Sequence, residues 1–266
     1  MKVLVTGNLG YVGNVLTRML LEKNFEVVGC DTGFYPQGFL GLTEPKIIQI
    51  KKDIRNLTED DLDGVSSICH LAALSNDPLG EINPNLTEEI NYFSTIKLAK
   101  LAKKVGVEKF VFSSSCSSYG VNDKIVNEES ELLPVTAYAK SKVNAEREIS
   151  NLSDNNFCVT NLRSATAYGL SDSIRLDLVV NNLTCSAFTT NQVKLLSDGT
   201  SWRPLVHVDD MSNAFISILE AKNSEVNAQA FNVGSNDDNY TARDIAQIVE
   251  KIIPDSKITY AINASK

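Results

Sequence analysis

Residues 2–13 read "KVLVTGNLGYVG", Lys2 through Gly13, and the reading of this stretch decides the fold. "KVLVT" is a short apolar run with the character of a buried strand. "YVGNVLTRMLLEKN", which follows, carries the period of an amphipathic helix. Gly7, Gly10 and Gly13 mark the turn between them. Glycines there let the backbone approach a pyrophosphate, which then rests on the N-terminus of the helix. The spacing is GxxGxxG rather than GxGxxG, and a glycine trio alone is equally a turn with close helix packing. Position separates the two accounts, because the turn follows the first strand and an acid closes the second. Asp31 ends "EVVGCD", 18 residues beyond Gly13. A carboxylate there accepts both ribose hydroxyls of NAD and repels the 2′-phosphate of NADP, so NAD is the expected cofactor.

The same rhythm continues outward. "EVVGC", "KIIQI", "SSICHLAA", "KFVFSSS" and "FCVTNLR" are apolar runs, with helix-period segments such as "PNLTEEINYFSTIKLAKLAKKVG" and "TAYAKSKVNAEREIS" among them. Strands apolar throughout and separated by helices predict a doubly wound, Rossmann-type α/β fold with a parallel sheet covered on both faces. Gly106 is the expected C-cap of the long helix, and Thr241 to Asp244 the expected capping box of the last one. Beyond about residue 165 the pattern loosens into mixed helix and strand without repeat or linker. The expected organisation is an NAD-binding domain over residues 1–165 and a smaller mixed α/β region over 166–266, partly interleaved with it, with a ligand cleft between.

Composition narrows the partners. The chain has 266 residues, is 43% hydrophobic and carries a formal charge of −8. It can bury a sizeable core, and its charge argues against nucleic acid, which calls for a basic face. No apolar run approaches the roughly 20 residues that span a bilayer, so no membrane association is expected. "MKVLVTG" already reads as strand and turn, which leaves no room for a targeting peptide and makes the cytoplasm the default location. Cys30, Cys69, Cys116, Cys158 and Cys185 are widely spaced and expected to be small buried hydrophobes rather than disulfides. With two histidines, His70 and His207, no metal site is expected.

"TAYAKSK" places Tyr138 and Lys142 one helical turn apart on one face, behind Pro134 and an expected Thr136 N-cap. A phenol of ordinary pKa near 10 is a poor base. A neighbouring ammonium and a positive nicotinamide both favour the phenolate, and a downward shift of about three units corresponds to roughly 4 kcal/mol. Tyr138 can then take a proton from a substrate hydroxyl while Ser115, in "SSSCSSYG", hydrogen-bonds the same oxygen and relays the proton. The run of small residues forms a narrow floor beneath substrate and nicotinamide.

With the glycine trio, Asp31, Ser115 and the Tyr138/Lys142 pair in order, the chain resembles the extended short-chain dehydrogenase/reductases of the NAD-dependent epimerase/dehydratase family, the nucleotide-sugar enzymes. "KKDIRN", "HLAALSNDP", "LRSATAYG", "VVNNL" and "WRPLVHVDDM" extend the likeness from Val3 to about Gly234. The resemblance implies that Tyr11 and Val12 belong to the cofactor turn, that Asp53 and Ile54 contact adenine, and that Leu71, Ala72 and Ala73 line the dinucleotide. It makes Asn91 a structural asparagine. Thr166, Asn182 and Leu183 fall at the sugar nucleotide, Lys194 beside its base, and Arg203 on its diphosphate, a use suited to a guanidinium fork. Ser75 and Asn76, in a loop unlike that of galactose epimerases, lie beside the expected sugar; Asp77 there either contacts a hydroxyl or supports a turn.

The family's 4,6-dehydratases carry an Asp-Glu pair where this chain has Cys116 and Ser117, and related decarboxylases keep the glutamate. Dehydration and decarboxylation are thereby disfavoured. The expected activity is redox-neutral epimerisation at C4 of a nucleotide-diphosphate sugar through a transient 4-keto intermediate. The alternatives are a 4-ketoreductase using the same residues and a non-catalytic NAD-binding module. The resemblance also implies a homodimer through helices near 85–104 and 137–150. Because the chain stops at Lys266, several dozen residues short of the usual length, it implies a C-terminal truncation.

Overall fold

Strand β1 (Lys2–Thr6) is apolar and enclosed from Val3 onward, so it belongs in the middle of a sheet covered on both faces. Helix α1 (Tyr11–Glu22) carries the chain over one face to β2 (Glu26–Asp31), and β3 (Ile48–Lys51) follows as the outermost strand on that side. The chain then crosses back to β4 (Ser67–His70), which pairs with the opposite edge of β1. Helices α2 (Asp77–Ile82) and α3 (Pro84–Glu88) lead through a π-helical turn at Glu89–Phe93 into α4 (Ser94–Lys104). That turn interrupts the helix expected over this stretch and aims Asn91 inward, a use typical of π turns. Strand β5 (Lys109–Ser115), helix α5 (Ala137–Ser150) and strand β6 (Cys158–Ser164) complete this half. The computed structural model describes residues 1–35, 40–41, 46–75, 77–122 and 124–261.

The remainder comprises β7 (Thr166–Tyr168), α6 (Val179–Thr190), β8 (Gln192–Leu195), β9 (Trp202–His207), α7 (Val208–Glu220), α8 (Asn223–Val226), β10 (Gln229–Val233), β11 (Asn239–Thr241), α9 (Ala242–Ile252) and β12 (Lys257–Tyr260). Strand β10 returns to the first half as the last strand of a seven-stranded parallel sheet, ordered β3-β2-β1-β4-β5-β6-β10. Helices α4 and α5 cover one face, with Leu98, Ala102, Ala145 and Ile149 against Phe110 and Phe112. Helices α1 and α7 cover the other, with Leu16, Leu20 and Phe215 against Val3, Val5 and Val111. A small sheet ordered β11-β9-β7, a parallel pair β8-β12 and helices α6 and α9 form a satellite core around Leu183, Leu205 and Ile245. The capping box at Thr241 and Asp244 and the positive φ of Gly106 appear as expected. Cys30, Cys69 and Cys158 are buried, whereas Cys185 faces outward from α6, against expectation, because its neighbours Leu183 and Ala187 take the inward positions.

The strand order reverses between β1 and β4, and this switch point opens a crevice at the carboxyl ends of the strands, where α/β sheets bind ligands. At the opposite edge, buried Lys109 donates from Nζ to the carbonyls of Ile218, Leu219 and Ala221 at 2.8, 3.1 and 2.8 Å and so caps the end of α7. Lys109→Met leaves those carbonyls unpaired, and urea unfolding should show a loss of about 1–3 kcal/mol.

Candidate active site

The glycine turn is as tight as its sequence requires. Gly7 has φ of +74°, and a Cβ on Gly13 would stand 2.0 Å from the Gly7 carbonyl oxygen. Gly10 is the N-cap of α1 with no side chain over the exposed N–H groups of the first turn. Asp31, at the end of β2, accepts from the backbone N–H of Gly33 at 2.9 Å and of Leu9 at 3.3 Å, fixing its carboxylate against the turn. The fit to an NAD pyrophosphate and ribose is therefore built from a cradle that any side chain would fill and an acid at its rim. Val12 is half-buried in this turn. Tyr11 turns its ring away, into contact with Val15 and Val208, and its hydroxyl donates to the Gly169 carbonyl at 2.7 Å. Its side chain is thus a brace, and only its backbone faces the cradle.

Across the switch point, Leu71, Ala72 and Ala73 follow β4, half-buried, where a dinucleotide would lie. Their placement depends on His70, fully buried between Thr6 and Thr95 at 2.7 and 2.8 Å. Thr95 donates its own proton to the Asn91 carbonyl, so His70 Nε2 carries a hydrogen and Nδ1 accepts from Thr6. Thr6 Oγ1 in turn accepts from the Ala72 N–H at 3.3 Å. Burial pushes the His70 pKa down to about 3, which keeps the ring neutral. Asn91 holds the next residue, accepting from Leu74 N at 2.8 Å while its Nδ2 donates to Leu74 O at 3.0 Å and to Ser141 Oγ at 3.2 Å. It is structural, as the resemblance implied.

Asp53 and Ile54, expected at the adenine, follow β3 at the carboxyl end of the sheet. Both Asp53 oxygens are taken by Arg55, at 2.8 to 3.0 Å, and this pairing holds the carboxyl below its usual range. Ile54 is buried in the core beneath.

The residues expected to be catalytic meet at the end of β5. Ser115 caps the 3-10 turn Cys116–Tyr119, and its Oγ lies 2.8 Å from Ser117 Oγ and within range of the Tyr138 phenol. Tyr138 stands in the first turn of α5 behind Thr136, which caps Ala139 N at 3.1 Å. Helix α2 is packed against it: a Cβ on Gly80 would come within 3.3 Å of Tyr138 Cβ, and Glu81 accepts from Ala137 N at 2.7 Å. Asp77 accepts from the Thr136 hydroxyl, so it serves a local anchor, and its charge opposes ionisation of Cys116 and Tyr138. Lys142 Nζ donates to the Ser113 carbonyl at 2.8 Å and lies 4.7 Å from the Phe112 ring and 5.8 Å from the Tyr138 ring.

The protein's own groups alone do not lower the Tyr138 pKa: burial pushes it up to about 12, against smaller opposing effects of Ser115 and Arg175, so the expected downward shift falls to the positive nicotinamide. The same burial depresses Lys142 to about 7, which weakens the ammonium that was to have stabilised the phenolate. Cys116, between Arg203 and Asp77, is likewise raised by burial, to about 11.

Thr166 is half-buried on β7, and Arg203 is exposed on β9, near enough to favour the Cys116 thiolate. Asn182 is exposed and donates to Leu176 O at 2.8 Å, and Lys194 is exposed on β8. Leu183 is buried in the satellite core. Asn76 lies outside the described residues. Sequence reasoning missed Arg175, in the loop "SDSIRLD". Its guanidinium is clamped by Asp177, donates to Ser75 Oγ at 2.9 Å and faces both Tyr138 and Tyr11. An isolated arginine in a loop offers no periodicity or spacing to announce it. Asn181, beside the expected Asn182, binds the Tyr11 hydroxyl and the Gly169 N–H.

Comparison with known proteins agrees with the fold. The model of the NAD-dependent epimerase/dehydratase family matches residues 3–234. UDP-glucose 4-epimerase of Corynebacterium glutamicum is 26% identical over 268 residues, covering 95% of this chain and 80% of that protein. The structure of UDP-glucuronic acid 4-epimerase from Bacillus cereus, in complex with UDP-glucuronic acid and NAD, is 25% identical with a TM-score of 0.85, over 99% of this chain and 87% of that one. That of TunA, an NAD-dependent NDP-hexosamine 5,6-dehydratase of tunicamycin biosynthesis, is 26% identical with a TM-score of 0.88, over 98% of this chain and 84% of that one.

The Lys142 shift has a sign that can be checked. A lysine whose folded pKa is depressed to about 7 opposes folding fully below that pH, and the penalty fades as pH rises toward the unfolded value near 10.4. Lys142→Met should therefore raise the melting temperature most at pH 6, with the gain disappearing by about pH 10, as followed by thermal unfolding across pH.

Proposed function

The chain belongs to the NAD-dependent epimerase/dehydratase family, and we propose that it is a nucleotide-sugar 4-epimerase acting through a transient 4-keto sugar. The observation that carries this reading is the convergence of Ser115, Tyr138 and Lys142 at the end of β5, with Cys116 and Ser117 where elimination would need carboxylates. A thiol raised to about 11 by burial is no base at neutral pH.

NAD, when bound, supplies the hydride acceptor and a positively charged ring whose field favours a phenolate. Gly7, Gly10 and Gly13 hold its pyrophosphate against α1, and Asp31 accepts its ribose hydroxyls. Tyr138 Oη takes the proton of the sugar hydroxyl, and Ser115 Oγ hydrogen-bonds the same oxygen and passes the proton between them. Lys142 keeps the phenol oriented from one turn along. Arg203 binds the diphosphate, Thr166 and Asn182 contact the sugar nucleotide, and Lys194 flanks the base. The small residues around Ser115 leave room for the keto sugar to turn before reduction on its other face.

A second feature favours a redox-neutral reaction. Segment 169–175 is tied to the glycine turn by Ser171 Oγ to Tyr11 O at 2.7 Å, to the loop after β2 by Leu40 N to Asp172 O at 2.7 Å, and to Ser75 through Arg175. This strap runs along the mouth of the cofactor groove and suits a cofactor retained between turnovers. The curated relative above is a UDP-glucose 4-epimerase, which makes UDP-hexoses the first substrates to try. We also propose a homodimer, through the outer face of α4 and α5 beside the π-helical turn, where Tyr92 lies tilted against exposed Phe93 with ring centroids 4.8 Å apart.

Purified protein should retain NAD through gel filtration and interconvert UDP-hexoses with no net change in nicotinamide absorbance. Stoichiometric consumption of reduced cofactor by a keto sugar would instead identify a 4-ketoreductase. Tyr138→Phe should lower turnover by about 10²–10⁴-fold with NAD still bound.

A further inference from the structure

Tyr138 and Lys142 share one face of α5 with a third group, Glu146, a further turn along. Its carboxylate and the Arg163 guanidinium form an ion pair whose side chains are each 7% exposed, with Arg163 Nε at 3.1 and 3.2 Å from the two oxygens. Such a pair is weak evidence of stability, because well-packed apolar side chains serve as well in the same space. Its partners suggest another role. Glu146 Oε2 accepts from Ser114 Oγ at 2.8 Å, and Ser114 lies between Ser113, whose carbonyl receives Lys142, and catalytic Ser115. Arg163 Nη1 donates to Tyr119 Oη and to the Glu128 carbonyl, each at 3.0 Å, and Tyr119 Oη donates to Asn232 at 2.6 Å. One buried pair thus grips the chain just before Ser115 and again at the end of the turn that follows it.

We propose that Glu146 and Arg163 are positioning residues, which set Ser115 and the carbonyl that orients Lys142 by bracketing them through Ser114 and Tyr119. Neither touches substrate or cofactor. A strand end made of small residues has little packing of its own to fix it, so hydrogen bonds from beneath supply the register. The proposal rests on the catalytic roles given above to Ser115 and Lys142.

Ser114→Ala removes one hydroxyl while leaving the ion pair intact, and Glu146→Gln keeps an acceptor for Ser114 while unpairing Arg163. Ser114→Ala should keep its melting temperature within about 2 °C of wild type. It should keep its NAD affinity, lose about tenfold in kcat with little change in KM, and displace the pH profile. Glu146→Gln should lose more thermal stability, because Arg163 is left unpaired, and should also lower kcat and displace the pH profile, because Arg163 no longer fixes the turn after Ser115 through Tyr119. If Ser114→Ala loses stability but retains kcat and the pH profile, the pair is a structural brace and the proposal falls. Should the wild type turn over no nucleotide sugar, NMR titration of Lys142 gives the answer without activity. Its midpoint, about 7 in the wild type, should fall in Ser114→Ala as the Ser113 carbonyl drifts from the ammonium, and an unchanged midpoint would overturn the proposal.

Discussion

The enclosure of Tyr138, half-buried, and Lys142, buried, at the end of β5 is the constraint on which the rest of the site depends. Low local polarity disfavours charge on either group, so it drives the phenol up to about 12 and the lysine down to about 7. Left to themselves, the two make a neutral acid beside a half-charged amine. In the proposed mechanism a Tyr138 phenolate therefore needs positive charge from elsewhere, which an oxidised nicotinamide would supply, so that cofactor binding would activate the base.

The surrounding structure holds this pair in place from several directions. Helix α2 presses against Tyr138 at Gly80 and caps α5 through Asp77 and Glu81. The inward Asn91 ties the loop after β4 to α5, and the Thr6–His70–Thr95 chain fixes the Ala72 N–H on the cofactor side. Each tie joins residues distant in sequence, and all converge on the switch point between β1 and β4. Positioning of this kind matters because a reacting hydroxyl must meet base and hydride acceptor in one geometry.

Much of this was legible in the sequence wherever the physics is local. The glycine turn, the caps at Thr136 and Thr241 and the Tyr138/Lys142 spacing are fixed by neighbours within a few residues, and each appears as read. What could not be read depends on tertiary contact. The return of β10 to the main sheet, the Arg163–Glu146 pair and the approach of Arg175 to Tyr138 all join segments far apart along the chain. The side chains of Leu183 and Ile54 are buried in cores, which their motifs do not announce. The burial that opposes ionisation of Tyr138 is likewise invisible in charge spacing.

The most direct test of this account is the ionisation of Tyr138 itself, followed by NMR of ring-labelled tyrosine with and without oxidised NAD and assigned through Tyr138→Phe. The account predicts a midpoint near 12 for the protein alone and a fall of several units once the cofactor is bound. A phenolate already formed near neutral pH without cofactor, or a midpoint that NAD leaves unmoved, would contradict it.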